Sequence, residues 1–191
     1  MNTKLIRRKS FLHTAAAAIP ALSALAQSIA PSKRPSFKVA PGAGRPGKLP
    51  GAGPRDAILK ISGDDTGGEF ALFEIPPGNP GPPLHLHHIE NELFWVLEGE
   101  LDVQVGSDII RLTAGSCAYA PRMTPHTWQP VGGHDVRFLA FAEPAGHLEE
   151  FIAELLRRRR SGGPVDPASM KSLFEKYEME VVGPALPQRA R

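Results

Sequence analysis

The sequence holds one cysteine, Cys117, in 191 residues. That excludes an internal disulfide and any cysteine-rich zinc module. Tyrosine and tryptophan are scarce, at two each. The longest uncharged apolar run, Thr14 to Ala26, falls well short of the ~20 residues that cross a bilayer. A marked excess of one charge sign is missing too, with 22 Lys+Arg against 20 Asp+Glu. The length allows one domain with appendages rather than two independent enzymes. What the chain has in plenty is Gly, 19 residues, and Pro, 20 residues. That excess argues for turns, short strands and linkers, and against an all-helical bundle.

The small net charge of +2 is unevenly spread. Residues 1–26 carry Lys4, Arg7, Arg8 and Lys9 and no acid. A basic start, a short apolar core and the small-residue exit Ala24-Leu25-Ala26 are the parts of an export signal. Cleavage is expected after Ala26, which leaves a permanent membrane anchor unexpected. Arg7-Arg8 or Arg8-Lys9 before Phe11-Leu12 resembles the twin-arginine export motif, with the general secretory route as the alternative. The mature protein is then periplasmic or secreted. Without residues 1–26, 18 basic residues face 20 acidic ones, a net charge of −2. The apparent basicity therefore gives no argument for a nucleic-acid partner.

Pro31 to Pro54 contains eleven Pro or Gly residues, so residues 27–55 read as a linker or loosely attached arm. From Asp56 the texture becomes short apolar runs broken by turns. Ala57–Ile61, Glu69–Ile75, Glu92–Glu98, Leu101–Val105, Asp108–Leu112, Cys117–Ala120 and Val136–Phe141 read as strands. Seven strands over residues 56–145 predict an all-β barrel or sandwich. Residues 146–191 read as a helical extension. Leu148, Phe151, Ile152, Leu155 and Leu156 follow helical spacing, and Arg157–Arg160 complement the dipole at its end. A second helix starts at Pro167 or Ala168, capped by Asp166, and ends at Tyr177. The two helices are expected on one outer face of the barrel.

The stretch from Gly81 to Gly99 carries the chemistry. In a strand, His85 and His87 point to the same side, with alpha carbons about 6–7 Å apart. That suits two imidazoles on one ion. The connector His88–Asn91 bends the chain before Glu92, and His126 follows a loop marked by Pro121 and Pro125. Three neutral imidazoles and a carboxylate suit one divalent transition metal (Fe, Mn, Ni, Cu or Zn) and are too nitrogen-rich for calcium.

These residues resemble the cupins. His85-x-His87, four residues, Glu92, six residues and Gly99 fit the first cupin motif. Pro121-Arg-Met123-Thr-Pro-His126 fits the second, with Met123 where a glycine is usual and Pro130 where an Asn is usual. The segments 65–74, Pro77-Gly78, Pro144-Ala-Gly146 and Tyr177–Pro184 look like single-barrel, quercetin dioxygenase-like members. The resemblance implies a double-stranded β-helix or jelly-roll barrel and a metal on His85, His87, Glu92 and His126. It implies a small-molecule substrate with O2, a dioxygenase activity on a phenolic or enolisable compound, and a homodimer. Glu92 is then the candidate to accept the substrate's proton. Cupins also include isomerases, decarboxylases and non-catalytic ligand-binding or sensor proteins.

Phe94, Met123, Trp128 and Phe138 are the candidate substrate pocket, with core packing the competing role for the aromatics. Cys117 is expected to be a buried, inert thiol. His88 and Glu90 read as solvated loop residues, His134 as part of a hairpin turn, and His147 as a helix start.

Overall fold

The computed structural model describes residues 34–46, 49, 53, 55–132, 135–162 and 166–188. The expected export signal and the turn at His134 lie outside the described residues. Among the described residues, ten strands form two antiparallel sheets. The first contains β1 (Ile58–Ile61), β2 (Ala71–Ile75), β9 (Arg137–Glu143), β4 (Asn91–Glu98) and β7 (Cys117–Ala120), in that spatial order. The second runs β10 (Met179–Gly183), β3 (Leu84–His87), β8 (His126–Pro130), β5 (Glu100–Val105) and β6 (Asp108–Thr113).

Period-two alternation sends one side chain of each pair between the sheets. On β4 the inward set is Glu92, Phe94 and Val96, and on β9 it is Phe138, Ala140 and Ala142. Phe73, Phe94, Phe138 and Phe174 are the largest fully buried apolar groups of this core. Each contributes about 1.5–3 kcal/mol by leaving water. The same alternation corrects the reading of Cys117. Ala118 and Ala120 take the inward positions of β7, so Cys117 and Tyr119 face out and the thiol is exposed.

Three strands lie beyond the seven expected. His85 and His87 form β3, His126 opens β8, and β10 comes from the tail. That tail strand pairs with β3, setting Met179 opposite His87 and Val181 opposite His85. The region 146–191 is thus only partly a helical extension, since its last strand completes the second sheet. Between β1 and β2 lies one helical turn, α1 (Gly63–Thr66), opened by a capping box between Ser62 and Asp65.

Helix α2 (Leu148–Arg160) and helix α3 (Pro167–Lys176) match the expected spans, and Asp166 caps α3 by accepting from Ala168 and Ser169 N–H. They do not cover an outer face. Leu148, Phe151 and Leu155 of α2 and Phe174 of α3 line the same cavity as inward residues of both sheets. Glu154 ties the helices together, accepting from Arg158 on its own helix and from Lys176 and Tyr177 at the end of α3. Among the described residues, no helix is long and apolar enough to cross a membrane.

The described part of the arm is fastened rather than loose. Arg45 makes a two-pronged ion pair to Asp65, at 2.7 and 2.9 Å, and its N–H donates to Leu59 O. Lys60 Nζ donates to Ala43 O at 2.7 Å. These bonds satisfy backbone groups that a Pro/Gly-rich segment cannot pair within itself.

Candidate metal centre

The four candidate ligands come from both sheets. His85 and His87 project inward from β3, and His126 stands opposite His85 in the register of β3 and β8. Glu92 comes from β4, where its cross-strand neighbours are Ala120 and Ala142. Two small side chains flanking a carboxylate leave its inward path open. All four residues are buried, and their ligand atoms lie within 4.8 Å of one another.

Each imidazole is oriented through its other nitrogen. His85 Nδ1 donates to Pro83 O and His126 Nδ1 to Thr124 O, both at 2.9 Å. His87 Nδ1 lies 3.0 Å from Glu90 Oε2. Carbonyls and carboxylates only accept, so each Nδ1 carries a proton and each ring turns its Nε2 toward the centre, where His126 Nε2 can in addition donate to the Glu92 carboxylate. His85 Nε2 and His87 Nε2 are 3.1 Å apart. Two lone pairs at that distance repel unless a proton or cation sits between them. This donor set fits a divalent transition metal on His85, His87, Glu92 and His126.

Electrostatics agree with a site built for positive charge. Burial pushes the His85 imidazole down to about 3, helped by the neighbouring His126 and His87. Burial works to raise the Glu92 carboxyl, but the His126 hydrogen bond and the surrounding imidazoles outweigh it and hold it at about 2. Glu92 Oε2 lies 2.9 Å from His126 Nε2 and 3.8 Å from His87 Nε2. Against its burial, His126 is raised by this contact with Glu92. Glu92 is therefore a carboxylate near neutral pH, able to bind a cation or hold a proton.

Glu90 corrects the sequence reading. It is 1% exposed rather than solvated, and it holds His87 from outside the ligand cluster. Its other oxygen, Oε1, accepts the His147 N–H at 2.6 Å. Gly146 makes this approach possible: a Cβ there would fall 1.8 Å from Glu90 Oε1, and its φ of +51° also favours glycine. An acid in the connector between two ligands was the available sequence signal, but its partners lie 57 residues away. Gly81 plays a comparable part on the other side, where a Cβ would strike Trp128 O at 1.7 Å. His147, read only as a helix start, thus uses its backbone to fix the site.

A cavity of about 130 Å3 adjoins the cluster, with His85, Glu92 and Trp128 in its wall. Phe94 and Phe138 stand behind it. Phe94 packs against His126 at 6.1 Å, and Phe138 meets Trp128 edge-on at 4.9 Å. Met123 is not among the lining residues and is 58% exposed. Its φ of +63° shows that it keeps the backbone conformation of a glycine. Its N–H donates to His87 O at 2.7 Å, which ties the His126 loop to β3. Phe174, unsuspected from the sequence, lies edge-on to the His85 ring at 5.1 Å. His88 is half-exposed, as expected of a loop residue.

Residues 71–142 match the family model of the cupin domain. No curated protein matches the sequence. Similar solved structures include an uncharacterised conserved protein with a double-stranded β-helix domain from Klebsiella pneumoniae. It is 18% identical over 58% of this chain and 90% of that one, with a TM-score of 0.41. A predicted oxalate decarboxylase from Thermotoga maritima is 24% identical over 46% and 78%, with a TM-score of 0.41. An RmlC-like cupin from Shewanella frigidimarina is 25% identical over 41% and 68%, with a TM-score of 0.36.

Proposed function

We propose that this chain, whose residues 71–142 match the cupin domain, is an exported, metal-dependent oxidoreductase acting on a small enolisable or phenolic substrate. The observation that carries this is the convergence of three oriented Nε2 atoms and one carboxylate beside an apolar cavity. His85, His87, Glu92 and His126 would hold the ion. When bound, it supplies a concentrated positive charge that favours the ionised form of a substrate hydroxyl. Glu92, a buried carboxylate facing the cavity, accepts the substrate's proton. Phe73, Trp128 and Phe174 exclude water from the reacting end of the substrate.

The cavity supports a substrate smaller than a flavonol. A cavity of about 150 Å3 accommodates benzene, so a volume of about 130 Å3 corresponds to roughly one ring. Export rests on the basic, acid-free start and the Ala24-Leu25-Ala26 exit, and places the activity in the periplasm or outside the cell.

The test begins with elemental analysis of the full chain purified from its own host. One transition metal per chain is the expected result. Oxygen uptake by the metal-loaded protein is then measured with monocyclic phenols, small diketones and flavonols. Uptake with a one-ring or diketone substrate supports the reading. Tight binding of one such compound without uptake, whatever the metal, overturns it in favour of a non-catalytic ligand-binding cupin.

A further inference from the structure

Four arginines close α2, and three of them have work elsewhere. Arg157 lies 4.0 Å from Glu154, Arg158 donates to Glu154 at 2.6 Å, and Arg160 pairs with Asp56 at 3.4 Å. Among the described residues, Arg159 has no ion pair or hydrogen bond. It is also the one of the four that lines the cavity beside the metal cluster. The helix repeat explains this placement. Ile152, Leu155 and Arg159 stand at i, i+3 and i+7, so the apolar stripe of α2 that walls the cavity ends in a guanidinium. The helix dipole accounts for cations at this end in general. It does not account for leaving unpaired the one that faces the cavity.

The cavity wall therefore combines three chemically different kinds of group. His85 and Glu92 are its buried polar members, and Arg159 is a solvent-exposed one. Apolar groups such as Phe73, Trp128 and Phe174 make up much of the rest. Asn79, also on the wall, already donates through Nδ2 to Arg55 O. A ligand filling this cavity needs an oxygen for the metal cluster, an apolar body and an anion for the guanidinium. The planar fork of arginine matches a carboxylate in shape and in charge.

We infer that the substrate is a small carboxylic acid, about one ring in size. Its hydroxyl or enol oxygen is directed to the metal cluster and its carboxylate is held by Arg159. This rests on the metal-centre reading above and adds the substrate class to it. Arg159 is then a specificity residue at the mouth of the site.

The experiment uses the full chain loaded with Ni2+, its metal content measured first so that a failure to load is separated from a failure to bind. Calorimetric titrations compare 4-hydroxybenzoate, 4-hydroxyphenylacetate and 3-(4-hydroxyphenyl)propionate with their methyl esters. The three spacers cover the unknown reach from ring to guanidinium. At least one acid should bind roughly tenfold or more tighter than its ester, the scale of a charge-assisted hydrogen bond. Arg159→Gln should bring acid and ester within about threefold of each other at unchanged metal content, while Arg157→Gln keeps the preference. The proposal is overturned if no acid is preferred by the metal-loaded protein, or if Arg159→Gln retains the preference. Since Arg159 is exposed, its substitution leaves the fold in place, and a thermal melt of each variant checks that.

Discussion

Glu90 offers a sharp test of how the centre is held together. Its two oxygens accept from two different donors, His87 Nδ1–H at 3.0 Å and His147 N–H at 2.6 Å. In Glu90→Gln one acceptor becomes an amide donor, so one of the two contacts is lost at nearly constant volume. If His87 is the loser, its Nδ1 must turn acceptor toward the amide. The ring proton then moves to Nε2, where the lone pair for the metal had been. If His147 N–H is the loser, a part-buried donor loses its partner, at a cost of up to about 1–3 kcal/mol in the stability of the apoprotein. In the first case metal affinity falls by roughly 10–100-fold, the usual effect of removing such an orienting group. The two losses can be read separately. At a metal concentration of 100 times the wild-type Kd, binding raises wild-type stability by about 2.7 kcal/mol. A tenfold weaker variant gains about 1.4 kcal/mol at the same concentration, and a hundredfold weaker one about 0.4 kcal/mol. Denaturant melts with and without metal, together with a competition titration against a chelator, measure both quantities. Wild-type stability in the apoprotein combined with a Kd within twofold of wild type would refute the reasoning. Gly146→Ala approaches the same contact from the other side, since its new Cβ would displace the Glu90 carboxylate.

Three further outcomes are expected. His85→Ala should lose metal and oxygen uptake together, whereas Glu92→Gln should keep more metal than activity; full turnover with Glu92→Gln would remove its role as base. Met123→Gly should stabilise the protein by roughly 0.5–1 kcal/mol in denaturant melts, because relief of a left-handed backbone worth about 1–2 kcal/mol exceeds the entropy cost of glycine. The exposed Met123 side chain forfeits little by its removal, and a destabilised variant would count against this. The Glu154 carboxyl is held at about 2 by Lys176, Tyr177 and Arg158, so its contribution is present above its ordinary value of 4.5 and is lost as the pH falls from there toward 2. Melts from pH 6 to pH 2 should accordingly show a smaller acid loss for Glu154→Gln than for wild type, and identical slopes would show that this cluster does not tie α2 to α3.

The ligand set was legible because it is written in local spacing. His85 and His87 share a strand face, Glu92 begins the next strand, and His126 follows a proline-marked loop. The inward strand positions were legible for the same reason, down to Phe94 and Phe138. Cys117 was misread although the pattern held the answer: Ala118 and Ala120 are the small inward residues of β7, which forces Cys117 outward. Glu90 was misread because burial is set by the partner, not by the residue type. Nothing within its connector shows that Gly146 and His147, far along the chain, will cover it. The arm before Asp56 misled in a similar way. Its composition cannot form a core, but it can lend Arg45 and backbone carbonyls to a barrel that already has one.

The largest departure concerns where the barrel ends in sequence, and it changes how the centre must be understood. Residues 146–191 looked like an appendage to a complete barrel. In the structure they reach the candidate ligand cluster by three routes. His147 N–H fixes Glu90, which fixes His87. Phe174 of α3 packs edge-on against the His85 ring. Strand β10 pairs along β3, with Met179 and Val181 opposite His87 and His85. The tail segment Tyr177–Pro184 contains no residue of obvious chemistry, yet it lies against the strand that supplies two of the four ligands. It also supplies the backbone partners of Leu84 and His88, whose N–H groups donate to Pro184 O and Glu178 O. Without it, β3 would become an edge strand whose pairing groups face solvent. The orientation of His85 and His87 would then depend on a frayed backbone rather than a closed sheet. The C-terminal segment is thus part of the structural support of the candidate metal centre.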